Sequence, residues 1–83
     1  MAHFVYILQS EKTLNFYVGS SFDPENRLIQ HNSAKSKSTK HGIPWKLVYT
    51  EKYNTKSEAV KREYEIKRKK SRKYIEYLIK SAG

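Results

Sequence analysis

The 83 residues include no cysteine. Disulfide staples and thiolate metal sites are therefore excluded, and nothing points to an oxidising compartment. Long apolar runs are also missing. The longest is Phe4 to Leu8, far short of the ~20 residues needed to span a bilayer. Met1 to His3 is not a basic leader region and charge returns by Glu11, so no signal peptide is expected and a soluble cytoplasmic protein is the default. At this length one domain, residues 1–83, is expected, with a small core and marginal stability. Acidic residues are the remaining shortage. Residues 1–33 hold two bases against three acids, whereas residues 34–83 hold fifteen bases against five acids. A near-neutral first part joined to a part carrying about +10 suggests a polyanionic partner. Nucleic acid is the first candidate and an acidic membrane surface the second. The plain alternative is a solvated surface kept for solubility.

What is present reads as alternating elements. His3 to Gln9 is β-branched and aromatic with apolar residues at both parities, which predicts a central strand covered on both faces. Ser10 to Asn15 is polar, and Phe16 to Ser20 resumes as a short strand, completing a hairpin. Asp23-Pro24 is a helix start, with Asp as cap and Pro at the first helical position. The helix from about Pro24 to Asn32 places Leu28 inward and Arg27 and His31 on one face. Ser33 to Pro44 reads as an exposed, mobile loop. Trp45 to Glu51 alternates as a third strand at an edge. Thr55 to Glu58 fits a capping box, opening a helix with Ala59, Val60, Tyr64 and Ile66 inward. Ser71 is able to cap a second helix with Tyr74, Ile75, Leu78 and Ile79 as its apolar stripe, and one bent helix over 55–81 is equally compatible. The fold class is α+β: a three-stranded antiparallel sheet in β-β-α-β-α-α order, packed by helices.

Glu63 is the most informative residue. It falls within the inward stripe of its helix, where a carboxylate is costly if dry and unpaired. A salt bridge to Arg27 or a neighbouring Lys is the structural explanation; a metal ligand or positioned acid is the functional one. Arg27 and His31 are either a solvated face or a phosphate fork with a proton-handling partner. Tyr6 and Tyr17 are ordinary strand residues in a tyrosine-rich chain unless they meet something. Gly19 weakens a strand, and that asks for a bulge or for close approach of a substrate backbone.

Val5-Tyr6-Ile7 and Tyr17-Val18-Gly19 resemble the two halves of the GIY-YIG nuclease signature. Arg27 and His31-Asn32 fall where that family has its helix Arg and its His or Tyr. Ala59 to Glu63 resembles the family's Ala-x-x-x-Glu, whose Glu holds the metal. The resemblance covers about Phe4 to Ile79 and is similar to short single-domain bacterial members, which resemble the nuclease module of the excision-repair incision subunit. There are departures. Phe4 stands where the first signature glycine would be, Ser20 stands where the repair nuclease carries a Lys, and no second, targeting domain is expected.

The resemblance implies hydrolysis of phosphodiesters, in DNA first and structured or damaged DNA in particular, with one divalent metal, usually Mg²⁺. Glu63 would be the metal ligand, and the catalytic set would be Tyr6, Tyr17, Arg27, His31 and Glu63. Tyr17 or Tyr6 would orient or deprotonate water, and because a free tyrosine has a pKa near ~10 it needs positive charge nearby. Arg27 would brace the phosphate and His31 would support it. Lys35, Lys37 and Lys40 in the loop, with Lys67, Arg68, Lys69, Lys70, Arg72 and Lys73, would track the phosphate backbone without reading sequence. A partner protein supplying target choice is compatible with a chain this short. The alternatives are a non-catalytic nucleic-acid-binding module of the same fold and an interaction subunit of a larger repair assembly.

Overall fold

A computed structural model of the chain describes residues 1–82. Strands β1 (His3–Ser10) and β2 (Phe16–Ser21) are followed by helix α1 (Pro24–Asn32), a short 3₁₀ turn (Lys40–Gly42), strand β3 (Trp45–Tyr53), and helices α2 (Lys56–Lys69) and α3 (Arg72–Ala82). The sheet order is β2-β1-β3, antiparallel throughout. The most apolar strand is therefore central, with the two mixed strands at the edges.

β1 divides the interior into two cores because successive side chains leave a strand on opposite faces. Val5 and Ile7 join Val18, Ala59, Ile66 and Leu78 under α2 and α3. Tyr6 and Leu8 join Trp45, with Tyr17, Leu28, Ile43 and Leu47 packed around them, on the α1 side. The alternation expected in the third strand breaks midway. Ile7 faces Tyr49 while Leu8 faces Leu47, so Val48 is a bulged residue. That bulge sends Trp45 and Leu47 to one core and Tyr49 to the other.

The helix starts follow their caps. Asp23 Oδ1 accepts from the Asn26 N–H at 3.1 Å, and Thr55 Oγ1 accepts from the Glu58 N–H at 3.2 Å. Residues 55–81 form two helices. Lys70 ends α2 in the left-handed conformation, φ 47° and ψ 38°, and Ser71 Oγ accepts from the Tyr74 N–H at 3.2 Å. α2 is bound to β3 by Glu51, which takes Arg62 Nε at 2.9 Å and Nη2 at 3.2 Å and also the Tyr49 and Tyr53 hydroxyls. Tyr64, expected inward, is 60% exposed. At one residue past Glu63 it lies beyond the narrow stripe that Ala59 and Ile66 define. Among the described residues no helix is long and apolar enough to cross a membrane.

Ser33 to Pro44 differs most from expectation. It is exposed at its lysines, but Thr39 and Gly42 are buried. Asn32 bridges the ends of the segment: its Nδ2 donates to the Trp45 carbonyl at 2.9 Å and its Oδ1 accepts the Trp45 N–H at 2.6 Å. The buried Ser10 hydroxyl donates to the Gly42 carbonyl at 2.6 Å. These bonds hold the segment against the β1 end of the sheet.

Candidate active site

Tyr6 lies mid-strand and pairs across to Gly19 of β2. Its ring lies over that glycine. A Cβ at position 19 would stand 2.5 Å from Tyr6 Oη and 2.6 Å from Cζ, too close for any side chain. Gly19 is thus a seat for the phenol, which is the physical reason for a glycine there; neither a bulge nor a passing substrate backbone is required.

His31 comes from the last turn of α1 and is 1% exposed. Its Nε2 lies 3.3 Å from Tyr6 Oη and its Nδ1 2.8 Å from Thr39 Oγ1. The Tyr17 ring packs on His31 with centroids 4.8 Å apart, and stands 6.4 Å from both Tyr6 and Trp45. Arg27, one turn before His31, is steadied by Gln30 Oε1 at 2.6 Å. Arg27, Gln30, His31, Lys35 and Ser36 line a small recess.

Glu63 enters from α2 on the other side of Tyr6. Its Oε1 accepts from Ser20 Oγ at 2.7 Å and its Oε2 from Lys67 Nζ at 2.5 Å. The pairing anticipated from sequence exists, with Lys67 as the partner. Lys67 and Tyr17 both line a groove of about 490 Å³ whose floor includes Val18, Ile66 and Ile75 and whose rim includes Lys70 and Arg72.

Tyr6 is the hub. Burial pushes its hydroxyl above the ordinary tyrosine value, the Arg27 guanidinium opposes that, and Tyr17 and Glu63 add to the rise. Tyr6 therefore stays a neutral phenol. Burial, and then the Arg27 charge, hold His31 below its ordinary value, so it is neutral imidazole at pH 7. Burial works against the charge of Lys67, but the Glu63 carboxylate outweighs it and keeps the ammonium protonated.

Tyr6, Tyr17, Arg27 and His31 lie together on the α1 side of the sheet, while Glu63, on α2, is held by Ser20 and reaches this group through the effect of its charge on Tyr6. Two residues support the group in ways not read from the sequence, where Ser20 stood only as a departure from the family pattern and Thr39 only as part of a mobile loop. Ser20 fixes Glu63, and it lies next to Gly19 in a strand whose alternation gives its facing. Thr39 touches His31, and no local pattern marks it. Lys67, grouped in the sequence with the backbone-tracking lysines, is in the structure a partner of Glu63. Lys35, Lys37, Lys40, Arg68, Lys69, Lys70, Arg72 and Lys73 are all exposed. Arg72 also lies 4.7 Å over the Phe16 ring, bonds Glu76 at 3.1 Å and donates to the Leu14 carbonyl at 3.0 Å.

A small antiparallel sheet with paired tyrosines under a helix Arg and His, faced by one helix carboxylate, is the arrangement of a GIY-YIG nuclease domain. Residues 2–75 match the family model described as the GIY-YIG catalytic domain, and the chain belongs to the GIY-YIG family. Among its relatives, a UPF0213 protein of Staphylococcus epidermidis is 52% identical over 66 residues, covering 78% of this chain and 79% of that protein. A UPF0213 protein of Staphylococcus aureus is 48% identical over 67 residues, covering 80% of each. The solution NMR structure of the UPF0213 protein BH0048 from Bacillus halodurans superposes with a TM-score of 0.62 at 37% identity. That match covers 100% of this chain and 87% of the other. The family is one of nucleases, which makes nucleic acid the implied substrate class.

Proposed function

We propose that the chain is a metal-dependent endonuclease that hydrolyses phosphodiester bonds in DNA, with branched, damaged or distorted DNA as its target. The observation that carries this reading is the grouping of Tyr17 and Arg27 around the buried Tyr6–His31 pair, with the Glu63 carboxylate near enough for its charge to act on Tyr6.

The roles divide by access. Tyr6 is 1% exposed, too enclosed to meet a water and a phosphate together. Tyr17 is only partly buried and lines the groove, so its hydroxyl oxygen is placed to accept a hydrogen bond from the attacking water and orient it. Arg27 offers a planar fork to the non-bridging oxygens of the scissile phosphate. Lys67 and Arg27 supply the positive charge that favours negative charge developing between them. Water oxygen bonds to phosphorus and gives up a proton to solvent, the bond to the leaving sugar oxygen breaks, and that oxygen takes a proton from solvent.

The donor set suits a single hard cation. Among the described residues no three His, Cys, Asp or Glu side chains come together, so a protein cage and a two-metal clamp have no basis. Mg²⁺ is commonly held through one or two carboxylates with the remaining positions filled by water and phosphate. Glu63, with its carboxylate 16% exposed, would hold it, and the ion when bound supplies charge neutralisation at the leaving oxygen.

A second reading, a non-catalytic nucleic-acid-binding module of the same fold, draws on one observation: Glu63 already has Ser20 and Lys67 as partners. Glu63→Gln decides between them. For a nuclease, Mg²⁺-dependent cleavage falls below detection in the variant while DNA binding persists. The melting temperature moves by only a few degrees, because Gln keeps the Ser20 hydrogen bond and an i,i+4 pair whose lysine is half-exposed is worth about 0.5 kcal/mol. Undiminished specific cleavage in a destabilised variant would remove Glu63 from the chemistry, and wild type no better than the variant would favour the binding module.

A further inference from the structure

Thr39 lies in the segment between α1 and β3, yet it is 1% exposed. Its N–H donates to the Ser36 carbonyl at 3.3 Å, and its own carbonyl accepts from Trp45 Nε1 at 2.7 Å and from the Gly42 N–H at 3.1 Å. The backbone is thus fixed from three sides before the hydroxyl does anything. That hydroxyl has two neighbours: His31 Nδ1 at 2.8 Å and the Ser36 carbonyl at 3.4 Å.

A neutral imidazole carries one N–H and one bare nitrogen, and its partners decide which is which. Two arrangements are possible. In the first, Thr39 donates to Nδ1, and Nε2–H donates to Tyr6 Oη. The hydrogen of the buried Tyr6 phenol then has no acceptor, since among the described residues its hydroxyl meets only His31 and the Arg27 guanidinium, which can only donate. The Ser36 contact is also wasted. In the second, Thr39 donates to the Ser36 carbonyl, accepts from His31 Nδ1–H, and leaves Nε2 bare to take the Tyr6 hydroxyl. Every donor then has an acceptor, in keeping with the absence of unpartnered buried side-chain polar atoms among the described residues.

We infer that Thr39 is a positioning residue: it locks His31 as the Nδ1–H tautomer, so that bare Nε2 holds the Tyr6 hydroxyl hydrogen and turns the phenol oxygen's lone pairs toward Arg27. The chain Tyr6→His31→Thr39→Ser36 runs in one direction and ends on a backbone carbonyl. The effect of this order on cleavage rests on the proposed nuclease reading; the tautomer itself does not.

The test is the long-range ¹H–¹⁵N spectrum of the His31 ring in the ¹⁵N-labelled full chain at pH 7.5, alongside cleavage of a branched DNA duplex with Mg²⁺. Wild type and Thr39→Ser are expected to show the Nδ1–H pattern. Thr39→Val keeps the shape but removes the acceptor, so its spectrum shifts toward the Nε2–H form. Its cleavage falls about tenfold, the scale of one lost hydrogen bond, and Thr39→Ser restores it. An Nε2–H pattern in wild type overturns the inference, as does an unchanged tautomer in folded Thr39→Val. If the valine variant does not fold, the wild-type spectrum alone decides. Absence of cleavage in wild type with the Nδ1–H pattern intact would count against the nuclease reading and leave the Thr39 assignment standing.

Discussion

Gly19 and Tyr6 form one unit across the β1–β2 pair, and the placement of the Tyr6 hydroxyl beside His31 depends on that fit. Gly19→Ala forces a methyl group into the phenol, an overpacking that costs about 1–3 kcal/mol. The expected result is a melting temperature lower by several degrees, with cleavage of the still-folded fraction falling as well, because Tyr6 is displaced from His31. Full specific activity in the alanine variant would show that the Tyr6–His31 bond is dispensable. His31 has a second signature. Its folded-state value is depressed by burial and by Arg27, so the unfolded chain binds the proton more readily. The stability that neutral His31 contributes is complete above pH ~6.5, declines as the pH drops below that, and levels off beneath the folded value. Urea denaturation at a series of pH values between 7.5 and 5 is expected to show this slope in wild type and a weaker one in His31→Asn. Equal slopes would mean that the histidine is solvated.

The helices and strands show how far local patterns reach. The bounds of α1 follow from Asp23-Pro24, the start of α2 from Thr55, and the division after Lys70 from Ser71, each being a cap encoded within a few residues. Features set by distant partners were not readable in this way. Thr39 is buried because Trp45 and His31 close over it, and nothing in a Ser/Thr/Lys-rich stretch signals that. The Val48 bulge comes from the register β3 takes against β1, and simple alternation along Trp45–Glu51 hid it. For the candidate site, the family signature supplied the residues to examine, whereas Ser20 and Lys67 as the two partners of Glu63 required the β2–α2 packing. The element boundary also carries a prediction. Lys70 is a non-glycine residue at φ 47°, which a glycine adopts without the side-chain penalty. Lys70→Gly is expected to raise stability by about 0.5–1 kcal/mol, read as a higher melting temperature. A lower one would mean that the Lys70 side chain makes a compensating contact.

Over the whole molecule, charge and structure are divided unequally. The sequence carries a net +9, and Lys67, Lys70 and Arg72 of the 34–83 part line the groove beside Tyr17. Affinity for DNA is expected to fall linearly on a log–log plot against salt, with each neutralised phosphate contributing about 0.9 to the slope on duplex DNA. Replacing Arg68, Lys69, Lys70 and Lys73 by Gln spares the Lys67–Glu63 pair. It is expected to weaken binding to all sequences alike and to lower the slope by up to about 4. Loss confined to one sequence, or an unchanged slope, would place the contacts elsewhere.

The alternation along β1 has its own consequence. Val5 and Ile7 face the larger apolar core, while Tyr6 and Leu8, one position away, face the side where His31 and Tyr17 sit. The apolar core under α2 and α3 and the Tyr6–His31 side are thus the two faces of a single ribbon, read in odd and even places. A displacement by one place would bury the phenol among aliphatic chains and turn Ile7 toward Arg27. Loss of function and loss of fold are therefore joined in this strand as one alignment, held on one edge by Gly19 and on the other by the extra residue at Val48.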